Sequence, residues 1–295
     1  MDHLNIDQDN TVFFNDTLSE VVNKKNNYIF TITLKKAFKE LKKALKSKTL
    51  RTNNPQLNLL EEFYPEDDAL LESEYSKTIN INEDKINLTV AFKKALDFDV
   101  EIDLNDTPLI FQNTEVCSFS PPSEICDLIK YHDENNFTLR LNPKDQDHEI
   151  ILVKADFNAD FKFTDHILDT EVVEEDITNK DKILIPMIKL NLESKYPNIS
   201  KEQIYADSKP FMISSVEQKI KFELNNKGAQ VESKVEIMGK WNCAPMEPKR
   251  LVFDKPFIVY LRRKKNNTPY FVAYISNTKF LEDYSLEFIK KTNAN

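Results

Sequence analysis

The residue types that most often carry catalysis are sparse in this chain and poorly spaced for it. The histidines are His3, His132, His148 and His166, and the cysteines are Cys117, Cys126 and Cys243. No two histidines stand at a metal-binding spacing. Eight and five residues intervene between Cys117, Cys126 and His132, unlike the spacing of a zinc site. Cys117 and Cys126 read as ordinary semi-buried thiols. A nucleophile pair built on Cys243 would need a histidine brought to it through the fold. Two glycines in 295 residues, against a usual ~7%, leave no material for a glycine-rich phosphate loop. The expectation is a protein with no catalytic residues, no cofactor and no metal; a hydrolase would require a Cys/His/Asp cluster assembled in space.

The informative chemistry is that of a backbone. After Gly228 the sequence alternates without a fault: Ala229, Val231, Ser233, Val235 and Ile237 on one face, Gln230, Glu232, Lys234 and Glu236 on the other. That is a strand able to bury one face in a sheet. Two readings are open: a segment that joins a sheet on demand, or an ordinary strand that is always paired. Lys240, Trp241, Asn242 and Cys243 follow. Trp241 is the chain's one tryptophan; it reads either as an exposed anchor for a partner or as a ring folded back onto the sheet.

The flanking elements must position this segment. Upstream, Val216, Ile220, Phe222 and Leu224 have the period of a half-buried strand. Downstream, Leu251–Leu261 and Tyr270–Ile275 are nearly continuous apolar runs joined by the polar turn 262–268. They predict a β-hairpin buried on both faces.

These residues carry a resemblance. Phe253-Asp254-Lys255-Pro256-Phe257-Ile258-Val259-Tyr260-Leu261-Arg262 is similar to the carboxy-terminal signature of the serpins, and Tyr270–Asn277 to the family's last strand, with Ala273 at a usual Gly and Thr278 at a usual Pro. Lys219–Gly228 resembles the strand and hinge that enter the serpin reactive loop. Ile86–Leu96 resembles the central serpin strand: Phe92-Lys93 match, while Leu88 stands for Asn, Lys94 for Gly and Leu96 for Trp. Ile185-Pro186 match the strand that carries Leu-Pro-Lys-Phe.

The resemblance implies a reduced serpin fold of the α+β class, with a diminished helical layer, a large mostly antiparallel sheet and a buried carboxy-terminal hairpin. It implies a target protease of serine or cysteine type, which cleaves an exposed loop over 228–252. The loop then inserts into the central sheet and traps the enzyme kinetically. The inward positions would be Ala229, Val231, Ser233, Val235 and Ile237 behind the hinge Gly228, and the scissile region Lys240–Cys243. Lys240 suits a trypsin-like enzyme and Trp241 a chymotrypsin-like one. The bulk of Val231, Glu232 and Lys234 would slow insertion, so the alternative is a non-inhibitory serpin-fold protein that binds another partner.

Composition bounds the rest. The chain is 40% hydrophobic and 30% charged with net charge −9, which disfavours nucleic acid and anionic lipid as partners. No apolar stretch approaches the ~20 residues of a membrane span. No signal peptide is visible, and three cysteines fit a reducing compartment, so the expected location is cytoplasmic, or extracellular if a leader is missing from this chain. One domain is expected over 1–295, monomeric, with a reduced helical part over 1–80, a sheet-rich part over 81–280 and a tail over 281–295.

Local patterns supply further expectations. Leu34, Phe38, Leu41 and Leu45 predict a helix over about 33–47, its lysines forming a solvated basic face. Val12-Phe13-Phe14, Leu18 and Val21-Val22 suggest a helix face, and Ser200–Ala206 an abbreviated helix capped by Ser200. The tail from Leu281 reads as a packed amphipathic helix.

Overall fold

The computed structural model describes residues 5–6, 12–15, 18–54, 57, 71–92, 96–100, 102–167, 175–196, 199–226, 248–265 and 268–285. In chain order the described elements begin with β1 (Asn5–Ile6), β2 (Val12–Asn15), β3 (Val21–Asn23), β4 (Asn27–Thr31) and helix α1 (Thr33–Ala44). β5 (Leu50–Thr52), β6 (Tyr75–Asn82) and β7 (Lys85–Phe92) follow. The middle of the chain gives β8 (Leu109–Phe111), β9 (Thr114–Val116), β10 (Ser118–Phe119), β11 (Cys126–Asp133), β12 (Asn136–Leu141), β13 (His148–Lys154) and β14 (Asp160–Lys162). The last strands are β15 (Lys182–Pro186), β16 (Ile188–Lys195), β17 (Gln203–Ala206), β18 (Lys209–Leu224), β19 (Arg250–Val252), β20 (Phe257–Arg263) and β21 (Phe271–Ile275).

An eight-stranded sheet runs in the order β1-β2-β4-β21-β20-β13-β12-β11, antiparallel except where β2 meets β4. The hairpin β20–β21 lies inside it. Every residue of β21 is buried, as are Phe257–Arg262 of β20, so both faces of the hairpin are covered, as its lack of alternation predicted. Fully burying such a Val, Ile or Phe side chain is worth about 1.5–3 kcal/mol, which makes this hairpin the energetic centre of the larger core.

A six-stranded sheet has the order β5-β17-β18-β7-β6, with β16 also on β18. Its apolar face packs on α1: Leu34, Phe38 and Leu41 share a second core with Ile86, Leu88, Val90, Ile213 and Val216. A three-stranded sheet, β10-β15-β19, and the pairs β14–β3 and β8–β9 complete the described architecture. The described fold is mostly β, with α1 as the single α-helix among the described residues.

Several local expectations are overturned. Val12–Asn15 and Val21–Asn23 are strands, because each finds a neighbour, β4 and β14, that takes up its backbone hydrogen bonds. Gln203–Ala206 is a strand and forms a hairpin with β18 through Asp207 and Ser208, both at positive φ (46° and 76°). Arg250–Val252, assigned to the loop by the sequence, pairs in parallel with β15. Lys35 and Lys36 are buried, with Lys35 Nζ 5.9 Å from the Phe30 ring centroid, so that side of α1 is not solvated. After a short turn at Thr278–Phe280, Leu281 bridges Ile188 and Asp283 bridges Val116; helical backbone begins at Tyr284 and Ser285, and the rest of the expected tail helix lies outside the described residues.

Glycine scarcity shows in the turns. α1 ends with Ser47 N–H donating to Lys42 O (3.2 Å) and Lys46 N–H to Lys43 O (3.0 Å). This is the left-handed helix stop usually given to Gly, here taken by Lys46 at φ 53°. The two-residue turn between β8 and β9 uses Gln112 (φ 47°) and Asn113 (φ 74°).

Candidate functional site

The site is a seam in the six-stranded sheet together with the two ends of the segment that leaves it. β18 and β7 are hydrogen-bonded neighbours running in parallel, in register from Met212↔Lys85 to Ile220↔Phe92, with one irregularity between Ile213 and Ser215. Near that irregularity Ser215 Oγ lies 2.9 Å from Asn87 Oδ1, to which it donates. β7 ends at Phe92, but β18 continues through Leu224. Among the described residues no strand pairs with Lys221–Leu224 on the β7 side. The opposite edge of the same residues is held by β16 in an antiparallel ladder that ends at Ile188↔Leu224. β18 thus runs past the last registered pair of the seam, Ile220↔Phe92, toward residue 227.

The inner face of the seam is apolar with one polar insertion. Ile86, Leu88 and Val90 of β7 and Val216 and Ile220 of β18 are all buried. Gln218 sits among them at 2% exposure, and a buried amide there requires partners. It has them: Gln218 Nε2 donates to Thr33 Oγ1 at the start of α1 (2.7 Å), and Tyr196 OH donates to Gln218 Oε1. Thr33 and Tyr196 are themselves buried. This network pins β18 to the helix beneath the seam. Sequence reading passed over Gln218, although a polar residue at an inward position of the Val216–Leu224 alternation was the available signal.

At the near end of the departing segment, Asn226 Nδ2 donates to Ile102 O (2.7 Å). At the far end, Lys249 N–H donates to Asp181 Oδ1 (2.6 Å), Lys249 Nζ to Asp176 O (2.9 Å), and Lys182 N–H to Lys249 O (2.9 Å). Lys154 then clamps the chain as it enters the buried hairpin. Its Nζ donates to Val252 O (2.7 Å), Asp254 Oδ1 (2.7 Å) and Glu134 O (2.9 Å). Burial pulls the Lys154 ammonium pKa below its ordinary value, against the upward pull of Asp254. β19 pairs with β15 and β18 with β16, and only Met187 separates β15 from β16. Both ends of the segment thus rest on one continuous stretch, 182–195.

Gly228, Ala229, Val231, Ser233, Val235, Ile237, Lys240, Trp241, Asn242 and Cys243 all lie outside the described residues. Cys117 and Cys126 are buried thiols outside any disulfide, Cys117 Sγ donating to Asp283 O (3.7 Å), and burial raises the Cys126 pKa far above the usual thiol value. Among the described residues no group of three or more His, Cys, Asp or Glu side chains could hold a metal ion, and no helix is long and apolar enough to cross a membrane.

Residues 176–278, which hold both anchors and the hairpin, match the family model described as Serpin (serine protease inhibitor). No curated protein matches the chain. Similar solved structures include Serpin48 of the insect Tenebrio molitor, at 13% identity and TM-score 0.42, covering 65% of this chain and 56% of that one. Another is thyroxine-binding globulin in complex with thyroxine, at 10% identity and TM-score 0.44, with 65% and 56% coverage. A third is the thermophilic serpin Tengpin in the native state, at 13% identity and TM-score 0.42, with 65% and 55% coverage. The chain therefore spans little more than half the length of these structures.

Proposed function

We propose that the protein is a protease inhibitor acting on a serine or cysteine protease through the loop that runs from Gly228 to the start of β19. In this reading the protease cuts near Lys240–Cys243. The freed strand 229–237 then folds back and enters between β7 and β18.

One observation carries the reading: β7 and β18 form a parallel seam, and β18 runs four residues past its last registered pair toward the loop. A strand that reverses direction after Leu224 runs antiparallel to β18 and hence also to β7. Its entry exchanges one parallel pairing for two antiparallel pairings, the more stable kind per residue. The registered seam, Met212 to Ile220, spans nine residues of β18, and the alternating stretch 229–237 is nine residues long. One face of the sheet packs on α1, so an entering strand must bury alternate side chains. Ala229, Val231, Ser233, Val235 and Ile237 supply that face. The test is incubation with trypsin-like, chymotrypsin-like and papain-like proteases. A complex with one of them that survives denaturing electrophoresis supports the reading, and clean turnover of the loop by every enzyme contradicts it.

The seam also favours a second reading. Its pairing is continuous from Ser215↔Asn87 to Ile220↔Phe92, and Leu88, paired with Val216, closes it with apolar contacts. A seam that opens too slowly yields a non-inhibitory protein that binds a partner through its surface, and the protease would then turn the loop over as a substrate.

A further inference from the structure

We propose that the carboxy-terminal segment 281–285 is a positioning element that braces the two anchors of the loop. The proposal rests on the reading of 228–252 as the functional segment.

The argument starts at Met187, the residue between the strand that holds the far anchor and the strand that holds the near one. Met187 N–H donates to Cys117 O (2.8 Å), Glu282 N–H donates to Met187 O (3.1 Å), and Cys117 N–H donates to Glu282 O (2.8 Å). Three backbone segments close a ring at this joint, and one of them is the tail. Beside it, Leu281 bridges Ile188, the residue that also pairs with Leu224, the last paired residue before the loop. The order across this point is β18, β16, tail. Phe280 and Leu281 are buried there, which holds the tail in place against solvent competition.

A second tie converges on the loop exit. Tyr284 OH donates to Asp106 O, and Asn226 Nδ2 donates to Ile102 O (2.7 Å). The short stretch 102–106 therefore receives one bond from the loop exit and one from the tail. Asn105 fastens this stretch in turn, its N–H donating to Ser118 O (3.1 Å) and its Nδ2 to Ser118 Oγ (2.9 Å). The tail reaches the near anchor by two routes, through β16 and through 102–106, and reaches the far anchor through Met187. It works as a strut that keeps both ends of the loop at fixed separation.

The test is amide hydrogen exchange on the full chain, comparing residues 221–226 and 248–252 with 271–275 in the buried hairpin. Glu282→Pro removes the N–H that Met187 accepts, and Leu281 already has the extended backbone (φ −98°, ψ 143°) that a residue before proline prefers. Tyr284→Phe removes one hydroxyl and leaves the backbone intact. Glu282→Gln keeps the N–H while losing the 3.9 Å ion pair with Lys189, and is expected to exchange as wild type. With a net neutral hydrogen bond lost, exchange is expected to rise about five-fold at both anchors in Glu282→Pro and at 221–226 in Tyr284→Phe, with 271–275 unchanged. Unchanged exchange at the anchors, or equal acceleration at 271–275, overturns the proposal. If Glu282→Pro does not fold, Tyr284→Phe decides alone. Anchor exchange in the uncut protein does not depend on loop insertion, so failure of the inhibitor reading would leave this result standing.

Discussion

Gln218 on β18 and Thr33 at the head of α1, separated by 185 residues in sequence, share a buried 2.7 Å hydrogen bond beneath the parallel seam. Tyr196 completes the network from the other side of Gln218. Any strand that enters between β7 and β18 must move them from neighbours about 4.8 Å apart to twice that distance, and must carry Gln218 away from Thr33 or drag α1 with it. The bond is therefore both a stabiliser of the closed sheet and part of the resistance to opening it.

Gln218→Ala leaves the Thr33 and Tyr196 hydroxyls buried without this partner. The expected loss is about 1–3 kcal/mol of unfolding free energy, read as a lower urea midpoint. A double-mutant cycle with Thr33→Val is expected to show a coupling of about 1 kcal/mol, and additivity of the two single changes would deny the bond an energetic role.

A second buried polar array crosses four strands of the larger sheet. Arg140 donates to Asp127 through Nε (2.8 Å), its NH1 lies 3.7 Å from Glu149 Oε2, and Arg262 Nε donates to Glu149 Oε1. Glu149 and Arg262 are almost completely buried. Glu149→Gln takes the negative charge from between two guanidinium groups and is expected to cost about 3–5 kcal/mol. A change within 0.5 kcal/mol in chemical denaturation would mean that water reaches the pair.

Lys46 offers the opposite sign. It occupies the left-handed position that closes α1, where a side chain costs about 1 kcal/mol relative to glycine. Lys46→Gly is expected to raise the melting temperature by roughly 2–4 °C. A lower melting temperature would mean that the greater freedom of glycine in the unfolded chain outweighs the relieved strain.

His166 gives the pH dependence. Its ring packs edge-on against Phe157 and Phe161, with centroids 4.8 and 5.3 Å away. Burial lowers its pKa below the ordinary 6.5; Lys130 adds to the lowering and Asp165 opposes it. As pH falls, the unfolded chain takes up this proton first, so the contribution to stability is intact above about pH 6.5 and is lost as pH drops through the folded-state pKa. Relative to wild type, His166→Phe is expected to lose less stability between about pH 6.5 and 5. Parallel stability curves for the two proteins would remove His166 from the acid response.

How much of this was legible in the sequence depended on the kind of signal. The hairpin β20–β21 announced itself because its runs lack alternation, and α1 because Leu34, Phe38 and Leu41 keep helical spacing. The hairpin β17–β18 was hidden because its turn is Asp207-Ser208, with no glycine to mark it. Val12–Asn15 and Val21–Asn23 carry apolar residues that fit either period, and only their strand neighbours decide between them. The burial of Lys35 and Lys36 and the ring at Met187 arise from tertiary packing, for which local sequence has no mark. The run 253–262, similar to a serpin signature, located the far anchor, but Lys154, which clamps it, stands about 100 residues upstream in a strand like its neighbours.

The central claim is that 229–237 can become a strand of the six-stranded sheet. The direct measurement is a thermal melt of the intact protein against protein cut once after Lys240 or Trp241, with the cut verified by mass spectrometry. Insertion would bury Val231, Val235 and Ile237 at about 1.5–3 kcal/mol each, so the cut protein is predicted to melt on the order of 10 °C or more above the intact one. An equal or lower melting temperature for the cut protein would contradict insertion, and with it the inhibitor reading.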